Sequence, residues 1–447
     1  MMPEKTGVYF LATSLEIVFS VVADFGITSV LIRQTAKHPE EAKSFAQKAL
    51  GLKIVLTILA IVGLYIASDL LGYDGYLRFL IALASIILAL DSLQVFLYAI
   101  LRGQQDLRFE AMGMIVGMFV TALGGGLVLL VMPSLPLLIV ALMLGSFVNV
   151  CVSTYGVVCR FGWDVFHCRF DKAFAKTLFV NALPFALAAI FVKVYSYVDS
   201  IMISKFLGTA HVGLYSIAYK FTYAFQFLPL AFIAGLYPSL SATIKHNPAE
   251  LPKLFERSMW YMMLIATPIT LGLWLVAPEA VLLVGHGYVD AGPILQMLVL
   301  VLFPIFLDFP IGSLLNAADR QSTKTIIMGF TMITNVTLNF FLIPIYGVLG
   351  AAYAALISFT FMFFVGLTFV QFVIKHYSYG HLALMLSKIA ISGCVMLIVG
   401  IFLIPMLDWI ATIPICGVVY MIALFFTRSI HHDDLTAMRR LITDKIS

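Results

Sequence analysis

Charge is scarce in this chain. Charged residues fill 11% of its 447 positions and hydrophobic residues 62%. A water-soluble domain of this length needs far more polar surface, so a soluble enzyme is excluded at the outset. The net charge of +4 does not point to nucleic acid, because the cations lie in one set of loops. Cysteine is sparse too. Five cysteines with no CxxC pair imply neither a disulfide framework nor a zinc site. Large polar segments are missing, so no loop can hold a domain. There is no Asp-x-Asp in a sizeable loop, no Gly-rich nucleotide loop and no midspan histidine. That argues against an integral-membrane glycosyl or acyl transferase, and the chain reads as no enzyme. Residues 1–6 show no basic stretch ahead of a short apolar core, so no cleaved signal is expected.

Long apolar runs are what the chain has. They recur from end to end, and the mean hydropathy is +1.03. The pattern predicts an all-α, polytopic membrane protein. Spans are predicted at 8–32, 49–68, 77–100, 110–132, 136–158, 178–205, 212–238, 259–284, 293–315, 325–345, 349–374, 384–406 and 409–427, which makes 13 helices. Alternate loops differ in charge. One side carries twenty Lys and Arg, from Arg33 and Lys37 to Lys324, Lys375 and Arg440; the other carries Lys5, Arg78 and Lys205. The basic side is therefore predicted to be cytoplasmic, with the C-terminus on it. The tail ends in an amphipathic stretch, 435–442, suited to an anionic inner leaflet.

The chain also repeats itself. Gly7-Val8-Tyr9 opens one span and Gly213-Leu214-Tyr215 opens another, with Ala12 and Ala218 at the same offset. The polar loop at 37–41 is answered by the loop at 245–250, and the turn at 72–75 by that at 287–290. The loop at 101–106 is answered by the one at 315–321. The order predicts two pseudo-symmetric lobes related by duplication: an N-lobe over 1–165 and a C-lobe over 166–376. Two extra helices over 377–427 and a cytoplasmic tail over 428–447 follow. Such duplication is a habit of secondary transporters. A full span precedes the second Gly-x-Tyr opening but not the first. By internal symmetry the N-lobe is expected to lack its first helix.

Three segments carry a family resemblance. One runs from Asn335-Val336-Thr337-Leu338-Asn339 through Pro344 and Gly347 to Gly350-Ala351-Ala352. The others are Ala23-Asp24-Phe25-Gly26-Ile27 with Arg33, and Phe206-Leu207-Gly208 leading to Gly213 and Tyr215. In this order they resemble the polysaccharide transport, or oligosaccharide flippase, family of the multidrug/oligosaccharidyl-lipid/polysaccharide exporter superfamily. The resemblance implies two six-helix lobes around a central cavity, with two C-terminal helices added. It implies translocation of a polyprenyl-diphosphate-linked glycan from the cytoplasmic to the outer leaflet by alternating access, in cell-surface polysaccharide biosynthesis. The alternative is a proton- or sodium-coupled multidrug exporter of the same superfamily. The partners expected are that glycan and membrane lipid, with no nucleic acid and the chain acting as a monomer.

A charged side chain in hydrocarbon costs at least ~2.5–3.5 kcal/mol, so each needs a partner or a wet cavity. Lys53 and Lys388 lie near the cytoplasmic ends of their spans and are expected to snorkel. Lys193 is midspan, with Tyr197 one turn on. It either draws a diphosphate as a point charge or pairs with a carboxylate such as Asp91. Asp91 and Asp308 are also near the midplane; Asp308 sits between Pro304 and Pro310, where a broken helix would leave carbonyls for a polar ligand. Glu16 and Asp24 line the first span, and Asp24 can brace a basic residue. Arg33 and Arg102 are placed to meet phosphate at the inner mouth or to serve topology. Asp199 either pairs with Lys220 or binds a coupling ion, H+ or Na+, with Asn335 and Asn339 as further oxygen ligands. No other cofactor or metal is expected.

Overall fold

In a bilayer every backbone amide and carbonyl must find its partner within the chain, and a helix does this span by span. A computed structural model of the protein describes residues 2–169, 171–375 and 377–429. The amphipathic stretch predicted in the tail lies outside these residues. Among the described residues there is no strand, and 13 helical segments are long and apolar enough to cross a membrane.

The described chain falls into two units, Met1–Ser216 and Ile217–Ser447. The first holds α1 (Pro3–Asp24), α2 (Ile27–Lys37), α3 (Ala42–Leu70), α4 (Gly75–Gly103), α5 (Arg108–Val131), α6 (Leu135–Phe161) and α7 (Lys172–Phe206). The short helix α8 (Thr209–Tyr223) crosses the division. The second unit holds α9 (Phe227–His246), α10 (Leu251–Leu282), α11 (Ala291–Val299), α12 (Leu302–Ala317), α13 (Gln321–Tyr346), α14 (Val348–Val370), α15 (Tyr379–Leu403) and α16 (Trp409–Phe426). The sequence places α7 at the head of the C-lobe. In the structure α7 packs along α1, α2 and α3, and so it goes with the first unit.

Each unit has its own core. In the first, α1 packs on α3, α4 and α7, and Leu31, Phe96, Leu97, Ile100 and Val157 fill the space between helices. In the second, α12 is central: it packs on α9, α10 and α14, and Phe306, Leu307, Ile311 and Leu314 are buried around it. Outer faces stay apolar, as on α5 with Ile115, Phe119 and Leu130 exposed. Such faces suit lipid rather than water.

The repeat is written into the backbone. Helix α4 ends with Gln105 at φ 58 and Asp106 N–H bonded to Leu101 O at 3.0 Å; α12 ends with Asp319 at φ 57 and Arg320 N–H bonded to Leu315 O at 2.8 Å. The companion bonds, Gln105 to Arg102 and Asp319 to Asn316, complete the same left-handed helix stop twice. The loops opening α3 and α10 also match. Glu41 N–H bonds His38 O, and Glu250 N–H bonds Asn247 O, each at 3.1 Å after a proline.

Candidate functional site

Polar residues in the interior of unit 1 come from several helices. Lys193, midway along α7, is half-buried with Nζ 5.9 Å from the centre of the Tyr197 ring. Glu16 on α1 is buried, and its charged neighbours are Asp91 and Lys193. Asp91 on α4 accepts from Gln94 Nε2 at 2.9 Å and from the Ser146 hydroxyl on α6. Thr57 and Ser92 share a hydrogen bond at 2.8 Å between α3 and α4. The two carboxylates and one ammonium sum to a single negative charge when all are ionised. Glu16 is the carboxylate that acts on Lys193, where the sequence reading offered Asp91 as the example.

Asp24 sits where α1 stops. Phe25 at φ 42 and Gly26 at φ 73 break the helix, and a Cβ on Gly26 would run into the Ala182–Ala186 backbone of α7. Asp24 Oδ1 accepts from Lys53 Nζ at 3.1 Å and also from the Thr28 hydroxyl. Lys53 is 2% exposed. Rather than snorkelling, it pairs with the carboxylate at the break.

Asp199 on α7 is buried and accepts from Tyr215 Oη at 2.7 Å. This gives the Gly-x-Tyr motif a task that sequence reasoning missed; the only signal was the tyrosine's fixed place behind the glycine. The glycines of the two motifs meet. A Cβ on Gly7 would overlap the Thr209 carbonyl, and one on Gly213 would overlap the Pro3 carbonyl. Pro3 and Thr209 are themselves equivalent by the repeat offset, so the contact is reciprocal, as at a two-fold axis.

In unit 2, Asp308 is held by Lys324. Lys324 Nζ lies 2.7 and 2.5 Å from the two carboxylate oxygens, with both residues below a tenth exposed. Sequence reading puts Lys324 in a cytoplasmic loop. The structure places it on the first turn of α13, turned inward to Asp308. Gly312, one turn after Asp308, leaves room for its stem, since a Cβ there would sit 3.2 Å from Lys324 Cε. Asn335 and Asn339 on α13 are fully buried and bond each other, Asn339 Nδ2 lying 2.9 Å from Asn335 O and 3.1 Å from its Oδ1.

At the basic side, Arg102 forms a two-pronged pair with Glu110 on α5, Nε to Oε2 at 2.6 Å and Nη2 to Oε1. Glu110 was not singled out by sequence reasoning. Arg33 on α2 is exposed.

Paired charges and buried amides inside duplicated apolar helices define a multi-pass membrane protein with polar machinery in its interior. Comparison with known proteins agrees. The family described as "Polysaccharide biosynthesis protein" matches residues 1–244, and the chain belongs to that family. The MatE family matches residues 184–341. The chain is 23% identical to the "Probable low-salt glycan biosynthesis flippase Agl15" of Haloferax volcanii over 79% of this chain and 74% of that protein. It is 31% identical to the "Probable flippase AglR" of the same organism, over 37% of this chain and only 36% of that protein. Among solved structures, "Lipid II flippase MurJ, inward closed conformation" matches with a TM-score of 0.74 at 16% identity, covering 96% of this chain and 93% of that one. An inward-facing "multidrug resistance MATE family transporter of the MOP superfamily" matches with a TM-score of 0.71 at 15% identity, covering 84% and 93%. These two likenesses are of fold.

Proposed function

We propose that the protein is a flippase that carries a polyprenyl-diphosphate-linked oligosaccharide from the basic, cytoplasmic side of the membrane to the outer leaflet by alternating access, in cell-surface polysaccharide biosynthesis. The reading is supported by the family match, by relatives named as flippases, and by one observation above the rest: Lys193, an ammonium in the middle of a span, beside Tyr197 and within reach of Glu16. Glu16 and Asp91 must be neutralised in part before Lys193 can favour a diphosphate, so binding of the headgroup is linked to proton uptake. H+ is then the coupling ion this site favours. Asp199, Asn335 and Asn339 are the side chains proposed for a cation route. Arg33 and Arg102 are proposed to guide the phosphates at the inner mouth, Arg102 by exchanging Glu110 for the headgroup. Asp308 contributes as the partner that keeps Lys324 inside.

The test is translocation in vesicles holding a polyprenyl-diphosphate oligosaccharide, read with an impermeant glycosidase. Lys193→Ala is expected to slow it about tenfold or more, the worth of one charge-assisted hydrogen bond of ~1.5–3 kcal/mol, while Lys193→Arg keeps most of the rate. The MATE likeness favours a second reading, export of organic cations. Proton-driven efflux of a cationic dye that needs Glu16 and Asp91, with no glycan movement, would establish that reading instead.

A further inference from the structure

Three helical stripes meet at the basic side of unit 1 around a pocket of 340 Å³. Helix α2 contributes Val30 and Gln34, one turn apart, and His38 follows at its end. Helix α7 contributes Phe174, Thr177, Leu178 and Asn181 on one face. Glu41 and Phe45 complete the lining. Spacings of three and four put each set on a single side of its helix. The aromatic wall is fixed in place. The Asp171 side chain caps α7 by accepting from Ala173 N–H at 3.0 Å and Phe174 N–H at 3.1 Å. Phe174 then meets Phe45 edge-on, with ring centres 4.8 Å apart.

The lining decides the occupant. No Lys or Arg lines the pocket, and Glu41 is its one carboxylate, so it offers no fixed cation to hold a phosphate. Among the described residues no side-chain hydrogen bond uses up Gln34 or Asn181. Asn181 stands out as an exposed amide in the apolar run Leu178-Phe179-Val180-Asn181-Ala182-Leu183, with its hydrogen-bonding groups open to the pocket. A sugar ring answers each feature. Its hydroxyls both donate and accept, as the amides of Gln34 and Asn181 do, while the Thr177 hydroxyl, which donates to Ala173 O at 3.1 Å, remains an acceptor. Its C–H face covers an aromatic wall. The volume is at the small end of ligand sites, ~300–1,000 Å³, and suits one ring or two. An organic cation would use Glu41 and the rings but leave both amides unengaged.

We infer that this pocket binds an uncharged sugar unit, docking the glycan at the basic-side entrance apart from the Lys193 group. That the sugar belongs to a lipid-linked glycan rests on the flippase reading; the chemistry of the pocket rests on its own lining.

Saturation-transfer NMR on the full chain in nanodiscs tests it. The probes are methyl α-glucoside, methyl α-mannoside and methyl N-acetyl-β-glucosaminide, with tetraphenylphosphonium as the cationic comparison. Transfer to the ring C–H protons of at least one glycoside is expected. Asn181→Ala and Gln34→Ala, on two different helices, should each reduce it about fivefold, the worth of a hydrogen bond of ~1 kcal/mol. Retained thermal unfolding temperature shows that the variants fold. Three results overturn the inference: no transfer from any of the three glycosides, transfer unchanged in either variant, or displacement by tetraphenylphosphonium that Glu41→Gln abolishes. Glycoside binding without glycan translocation would sink the flippase reading and leave the pocket; translocation without glycoside binding would do the reverse.

Discussion

Asp308→Asn leaves the Lys324 ammonium buried without its counter-charge. Breaking such a pair costs about 3–5 kcal/mol, whereas replacing both members with apolar residues of similar size is close to neutral. Thermal unfolding of the purified protein should therefore fall sharply for Asp308→Asn and recover in an Asp308→Leu, Lys324→Met double variant. A double variant no better than the single one would show that the pair is not the reason. Asp106 lies in the loop after α4, where its oxygens take Arg108 Nε at 3.1 Å and Arg160 Nη1 at 3.4 Å. The bonded Arg108 guanidinium holds its carboxyl below the usual carboxylate range, and Arg160 adds to the effect. A depressed carboxyl stabilises the folded state above its unfolded value of about 3.9 and loses that contribution as pH falls through the lower folded value. Wild type should lose more thermal stability below about pH 4 than Asp106→Asn does; equal losses would remove Asp106 from the account.

Helix ends carry the repeat more faithfully than helix faces do. Gln105 and Asp319 both stop a helix in the left-handed region. Glycine is at ease there, aspartate is tolerated, and glutamine is strained by roughly 1–2 kcal/mol. Gln105→Gly should raise the unfolding temperature more than Asp319→Gly, and the opposite order would contradict the reading of both stops. The reciprocal glycines predict non-additivity. Gly7→Val and Gly213→Val each wedge α1 from α8, so the double variant should cost less than the sum of the singles in a double-mutant cycle. These features were legible in the sequence because glycine, proline and loop polarity mark turns directly. The end of α13 was legible in the same way: Gly347 adopts φ 62, and a Cβ on Gly350 would overlap the Leu342 carbonyl. Partners were not legible. Tyr215 with Asp199, Glu110 with Arg102 and Lys324 with Asp308 pair across helix turns or between helices. Periodicity fixes which residues share a face but not which faces meet. Lys53 misled for the same reason. Its depth suggested water, and only the break at Phe25–Gly26 sets Asp24 beside it.

Across the whole molecule, the count of spans and the family were readable from hydropathy and from three short segments. The packing of α7 on α1, which sets α7 with the first unit, is carried by no single segment of the sequence. In unit 2, Asp308 and Lys324 form a buried pair. Unit 1 groups two carboxylates and an ammonium, and one added proton takes that group from one net negative charge to none. On the proposed flippase reading, this is where protons would couple to translocation. The most direct measurement is the access of an impermeant glycosidase to a polyprenyl-diphosphate oligosaccharide in vesicles containing the wild-type protein. The account predicts that access rises from the outer-leaflet fraction toward the whole pool, faster with a proton gradient than without, while empty vesicles stay at the starting fraction. Access that remains at the level of empty vesicles, with and without the gradient, would contradict it.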